Sequence, residues 1–148
     1  LEAFNIIPDT VMLKGTCRVF NNELQGTLPD RIQRIVDGVS STFGAKSELT
    51  YHKGYPATIN AEPQSKFCAD VAKEIAGSEN GVDLKPVPSM GAEDFSYMLQ
   101  KRPGCYIWAG NGDSAGLHHP EYDFNDQLLA VGASYWSRLV EQRLPKNI

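Results

Sequence analysis

CYIWAG at residues 105–110, running into NGDSAGLHHPEYDFND at 111–126, is the stretch that decides the fold. The first piece is short and apolar, with Gly104 and Gly110 at its ends, and it reads as a fully buried strand. The second reads as a long loop holding Gly112 and Gly116, Asp113 and Asp123, and the pair His118-His119. A loop of that length without structure of its own is functional or disordered, and Tyr122 and Phe124 argue against disorder. Ligands of α/β sheets collect beyond the carboxyl ends of strands, which is where this loop begins. Chemistry is expected here.

Outward from this stretch, helices and strands alternate. Downstream, a helix is expected over 126–143, with Leu128, Val131, Tyr135, Leu139 and Val140 on its apolar side. Upstream lie a short helix over 93–100 carrying Phe95, Met98 and Leu99, and a short strand over 82–88 bounded by prolines. A further helix over 63–76 turns Phe67, Val71 and Ile75 inward and ends at Gly77. Pro63 marks a change, and the residues before it read β-α-β. VMLKGTCRVF at 11–20 alternates as a strand, with Val11, Leu13, Cys17 and Val19 on one face and Lys14, Thr16 and Arg18 on the other. A helix follows from about Leu28, capped by Thr27, with Pro29 in its first turn. Its apolar side is Ile32, Ile35, Val36, Val39 and Phe43, and Gly44 stops it. AKSELTYHKGY at 45–55 reads as another strand. The expected fold class is α/β.

The chain has 148 residues, 41% apolar and 22% charged, which suits one ordinary domain or two small pieces sharing a border. This balance excludes collagen, coiled coil and low-complexity polymer. No run approaches the ~18 residues of an apolar membrane span, and LEAFNIIPDT lacks the form of a secretory signal. The start at Leu1 implies processing or a piece of something longer. Fourteen basic residues against 18 acidic ones are dispersed, with Lys101-Arg102 the densest basic group, so nucleic acid is not an expected partner. Cys17, Cys68 and Cys105 are far apart, which suggests neither a zinc knuckle nor a disulfide framework. Their apolar neighbours suggest buried free thiols and a reducing cytoplasm.

His118 is the best single candidate for chemistry. Pro120 stiffens its backbone, while Tyr122, Asp123 and Asp126 offer hydrogen-bonding partners. The alternative is a histidine satisfied in a loop turn, and on spacing alone it fits better, because a divalent site needs three or four ligands. His52 and His119 read as surface residues. Glu93 and Asp94 are adjacent acids at a helix start, where capping and the helix dipole already explain them. Gly110-Asn111-Gly112 hints at backbone approaching a ligand, but it is not GxGxxG. Arg18 could grip a carboxylate in a bidentate pair or stand solvated on its strand. Asn5 is similarly open.

Five stretches then fall in order: FNIIPDTVMLKGTCRVF at 4–20, GYPATIN at 54–60, PSMGAEDFSYML at 88–99, RPGCYIWAGNG at 102–112 and LHHPEYDFND at 117–126. Together they closely resemble the C-terminal part of the metal-dependent amidohydrolases that include hippurate hydrolase, N-acyl-amino-acid amidohydrolase and the auxin-conjugate hydrolases. The resemblance implies a three-layer α/β catalytic domain with two metal ions (zinc, manganese or nickel) and an α+β lid. Residues 1–62 then match the second half of the lid and dimerisation domain, and residues 63–148 the C-terminal part of the catalytic domain. His118 matches the metal-ligating histidine of the LHxP motif. Asn5 and Arg18 match the lid residues that hold the substrate carboxylate, and Glu93 the glutamate of GxEDF, in a supporting role.

The implied reaction is hydrolysis of an N-acyl amino acid by a cytoplasmic homo-oligomer, with metal lowering the pKa of bound water. Relatives carry further ligands and the general base upstream: a Cys and a His close together, a Glu-Glu pair, a second His and a lid histidine. None of these matches a position in this chain, so the chain alone is expected to be inactive. Half a lid also implies an exposed strand edge and self-association, or pairing with an upstream segment. A non-catalytic lid and dimerisation module, and a related metallodipeptidase or deacetylase, remain alternatives.

Overall fold

The computed structural model describes residues 4–78 and 81–144. The chain divides into two compact units, Leu1–Tyr51 and His52–Ile148. Residues 52–62 therefore group with the C-terminal unit.

The N-terminal unit is built on α1, Asn22–Thr42. This helix starts earlier than the expected Leu28. Asn21 is the cap, its Oδ1 accepting from Glu23 N at 2.7 Å and Leu24 N at 3.1 Å. An asparagine satisfies two of the otherwise unpaired first-turn amides, so the helix nucleates there. Thr27 is then already helical and its hydroxyl donates to Leu24 O at 3.0 Å, while Pro29 lies inside the helix. The stop is as expected. Gly44 has φ +66°, its N–H reaches Ser41 O at 3.2 Å, and Ala45 N reaches Ser40 O at 2.9 Å. That pair of bonds is a Schellman motif, whose left-handed position costs glycine least. The expected inward face is not covered: α1 has no buried residue, and Val39 and Phe43 are 54% and 81% exposed.

In the C-terminal unit, α2 (Glu62–Ala76) and α4 (Gln127–Arg143) pack on each other. Pro63 stands in the first turn of α2, and Gly77 ends it at φ +66°. Val71 is fully buried, and Tyr135 is 6% exposed. Phe67, Ile75, Leu128 and Leu139 are half-buried, while Val131 and Val140 remain exposed. The rim is polar: Arg138 Nε donates to Glu74 Oε1 at 2.8 Å, and Gln142 Nε2 to Glu74 Oε2 at 2.7 Å. The short α3, Phe95–Lys101, begins two residues later than expected. Ser96 is buried at its start, its hydroxyl donating to Glu93 O at 2.6 Å.

The helical half of the α/β expectation is thus present and the strand half is not. Among the described residues, 11–20, 45–55, 82–88 and 105–110 form no strand. A strand exists only as one side of a ladder, and these runs have no ladder partner beside them. Val11 and Leu13 are accordingly exposed, and so is Cys17, which corrects the expectation that it is buried. Cys68 and Cys105 are half-buried free thiols. No helix among the described residues is long and apolar enough to cross a membrane.

Candidate functional site

Where a neighbouring strand would stand, an asparagine side chain pairs with the backbone of Tyr106. Asn60 Oδ1 accepts from Tyr106 N at 2.8 Å, and Asn60 Nδ2 donates to Tyr106 O at 2.8 Å. Ala61 N adds a bond to Gly104 O at 3.0 Å, fastening the segment to the start of α2. Held this way, Tyr106 turns its hydroxyl to Glu93, donating to Oε2 at 2.9 Å. Its ring lies 5.6 Å from that of Phe95. The Tyr106 hydroxyl holds the Glu93 carboxyl below its usual range, helped by bonds from Asp94 and from the Phe95 N–H. The same bond pushes the Tyr106 phenol up. Glu93 is therefore an ionised carboxylate at the entrance of α3, with one oxygen committed to a phenol. Sequence reasoning did not find Tyr106 or Asn60 as partners, although both lie in the stretches that carry the resemblance.

The expected loop is built in the same manner. Asn111 Nδ2 donates to Asp123 O at 2.7 Å, and Asn111 Oδ1 accepts from Asn125 N at 2.8 Å. Ser114 Oγ lies 3.1 Å from Asp123 O and accepts from Asp123 N at 3.4 Å. Asn125 Oδ1 in turn accepts from Gln127 N at 3.1 Å, tying the end of the loop to the first turn of α4. Within Gly110-Asn111-Gly112, the asparagine ties the loop together, next to Gly112 at φ +80°.

Two successive turns form the far end of the loop. His119 N bonds Gly116 O at 3.1 Å, and Tyr122 N bonds His119 O at 3.0 Å. Pro120 takes the second position of the second turn, where its fixed φ fits. His118 takes the third position of the first, with φ +68°. That region costs a side-chain-bearing residue about 1 kcal/mol, and an exposed histidine held there is a conformational outlier of the kind found at functional positions. His119 is occupied locally, its Nδ1 accepting from Glu121 N at 3.1 Å.

The four residues singled out from sequence divide between the two units. Asn5 and Arg18 are exposed in the N-terminal unit, and Glu93 and His118 belong to the C-terminal one. No hydrogen bond among the described residues joins Glu93 to His118. No group of three or more His, Cys, Asp or Glu side chains gathers among the described residues. One imidazole on a loop is one ligand where a divalent centre needs three or four, so these residues alone do not fit such a centre.

Comparison with known proteins places the chain. The model of peptidase family M20/M25/M40 matches residues 4–142. A hippurate hydrolase of Campylobacter jejuni is 32% identical over 138 residues, covering 93% of this chain and 36% of that protein. An IAA-amino acid hydrolase of Arabidopsis thaliana is 30% identical over 151 residues, covering 96% of the chain and 34% of that protein. An N-acetylcysteine deacetylase of Bacillus subtilis is 28% identical over 137 residues, covering 93% and 35%. No solved structure matches the chain. The chain spans about a third of the length of the curated relatives it matches. With a family model aligned from Phe4 to Gln142, across both units and every motif described above, the chain belongs to the peptidase family M20/M25/M40.

Proposed function

We infer that this chain serves an amidohydrolase acting on N-acyl amino acids of the hippurate type, releasing a carboxylic acid and an amino acid. The observation that carries this reading is the held loop LHHPEYDFND, with His118 in a left-handed turn, inside a chain that matches hydrolase relatives along nearly its whole length. Residues 1–62 serve as the second half of a lid and dimerisation domain, and residues 63–148 as the C-terminal part of the catalytic domain.

In this reading His118 contributes one ligand to a divalent metal site (zinc, manganese or nickel, two ions in all). Asn5 and Arg18 bind the free carboxylate of the substrate, for which a guanidinium and an amide have the right donors. Glu93, ionised and held by Tyr106, supports the site from the entrance of α3 without acting as the general base. The chain by itself is inactive, because one imidazole and no general base cannot complete the reaction. The protein works as a homo-oligomer in the cytoplasm, where free thiols at Cys17, Cys68 and Cys105 persist.

A second reading, that the enzyme is a deacetylase, is favoured by the deacetylase relative, whose substrate is named as N-acetylcysteine. The test is hydrolysis of hippurate and of N-acetylcysteine by the full-length protein, with and without manganese or zinc, alongside His118→Ala. Metal-dependent turnover of hippurate that disappears in the variant is expected. Turnover of the acetyl substrate alone would replace the first reading by the second. Equal activity in His118→Ala would remove His118 from the site.

A further inference from the structure

The loop 111–126 is closed by side chains rather than by a ladder, and those side chains bracket the two turns that carry His118. The Asn111 amide spans the backbone on either side of Phe124, donating to Asp123 O at 2.7 Å and accepting from Asn125 N at 2.8 Å. An amide that gives and takes one bond with a chain segment reproduces what a neighbouring strand would offer. Between the two ends lie the Gly116–His119 and His119–Tyr122 turns, which need their ends held in register for His118 to stay at φ +68°. The position is unfavourable for a residue with a Cβ, so it persists only while its surroundings over-determine it. Ser114 supplies a second, weaker tie to the same Asp123 backbone, at 3.1 and 3.4 Å. Asn125 passes the restraint on to α4 through its bond from Gln127 N.

We propose that Asn111, by bridging the backbone around Phe124, is the positioning residue for His118. The proposal deepens the reading of His118 as a functional ligand and rests on it for its consequence in catalysis, but its structural content is independent of that reading. Asn111 acts through the loop backbone, by setting where the His118 imidazole is presented.

The test uses the 148-residue chain and the imidazole proton resonances of its three histidines, His52, His118 and His119. His118→Ala identifies the His118 signal, and His52, outside the loop, is the internal control. Asn111→Ala should move the His118 signal to the position of an unstructured histidine, leave His52 in place, and raise amide exchange across 112–124 about tenfold. Ser114→Ala should do the same to a smaller extent, and it decides the matter if Asn111→Ala does not fold.

Asn111→Asp supplies a conservative rescue. As a carboxylate it loses the donor to Asp123 O. Protonated, it regains both bonds, so its His118 signal should return toward the wild-type position at the same pH as the acid range is entered. An unmoved His118 signal in Asn111→Ala, or in Ser114→Ala where that variant must stand in, overturns the proposal even if loop exchange rises. The two readings fail separately. If the clamp variants behave as expected but His118→Ala leaves hydrolysis by the full-length protein intact, the positioning stands and the ligand reading falls.

Discussion

Asn60 and Tyr106 are joined by two hydrogen bonds of 2.8 Å each, a side-chain amide set against one residue's N–H and C=O. The bond from the Tyr106 hydroxyl to Glu93 extends this link, so that residues distant in sequence meet around one tyrosine. Replacing Asn60 by Ala removes both bonds and leaves a half-buried residue's backbone unpaired, at an expected cost of about 1–3 kcal/mol. Urea unfolding of wild type and variant measures it. A change inside experimental error would mean that water replaces the amide without loss.

The Glu93–Tyr106 bond has a pH signature. The Glu93 pKa is lowered from an ordinary value of 4.5, chiefly by the Tyr106 hydroxyl. A carboxyl depressed in the folded state contributes stability above its unfolded pKa, and that contribution is lost as pH falls through the folded value. Tyr106→Phe should therefore be less stable than wild type at neutral pH, with the gap closing below about pH 4.5. Melting temperatures of the two proteins across the acid range check the sign, and a gap that widens in acid would contradict the assignment.

Val71 and Val39 make a paired test of where the packing lies. Val71 is fully buried between helices, and Val39 is 54% exposed on α1. Val71→Ala should cost about 2 kcal/mol, while Val39→Ala should cost no more than a few tenths. An equal cost at both positions would show that the apolar side of α1 is covered in solution.

His118 can be separated into conformation and chemistry. Glycine and alanine both remove the imidazole, but only glycine adopts φ +68° without penalty, so His118→Gly should be more stable than His118→Ala by about 1 kcal/mol. Both variants should lose hydrolysis by the full-length protein to the same extent. If the glycine variant kept activity, the turn rather than the imidazole would be what matters.

The tie between Glu74 and both Arg138 and Gln142 is a surface feature and should behave as one. Its partners are roughly half exposed, so Glu74→Gln is expected to cost less than about 1 kcal/mol, with the difference shrinking in high salt. Thermal melts at low and molar salt are sufficient to measure this.

Sequence alone determined the helices of the C-terminal unit, the glycine stops at Gly44 and Gly77, the family, and the loop in which His118 sits. Each of these rests on information within a turn or two of chain, or on motifs read directly. A helix closes its hydrogen bonds four residues away, and a left-handed stop asks only for glycine. The start of α1 was misplaced because Asn21, a strong cap, outcompetes Thr27 at the position where nucleation is decided. Tertiary structure decided the rest. The expected strands have apolar, β-branched sequences, yet form no ladder, because pairing depends on a partner that the pattern of one segment cannot reveal. What stands in its place, Asn60 on Tyr106 across 46 residues and Asn111 on Asn125 across 14, is side chain on backbone at long range. Such bonds have no periodicity to read; they exist only once folding has brought their two ends together.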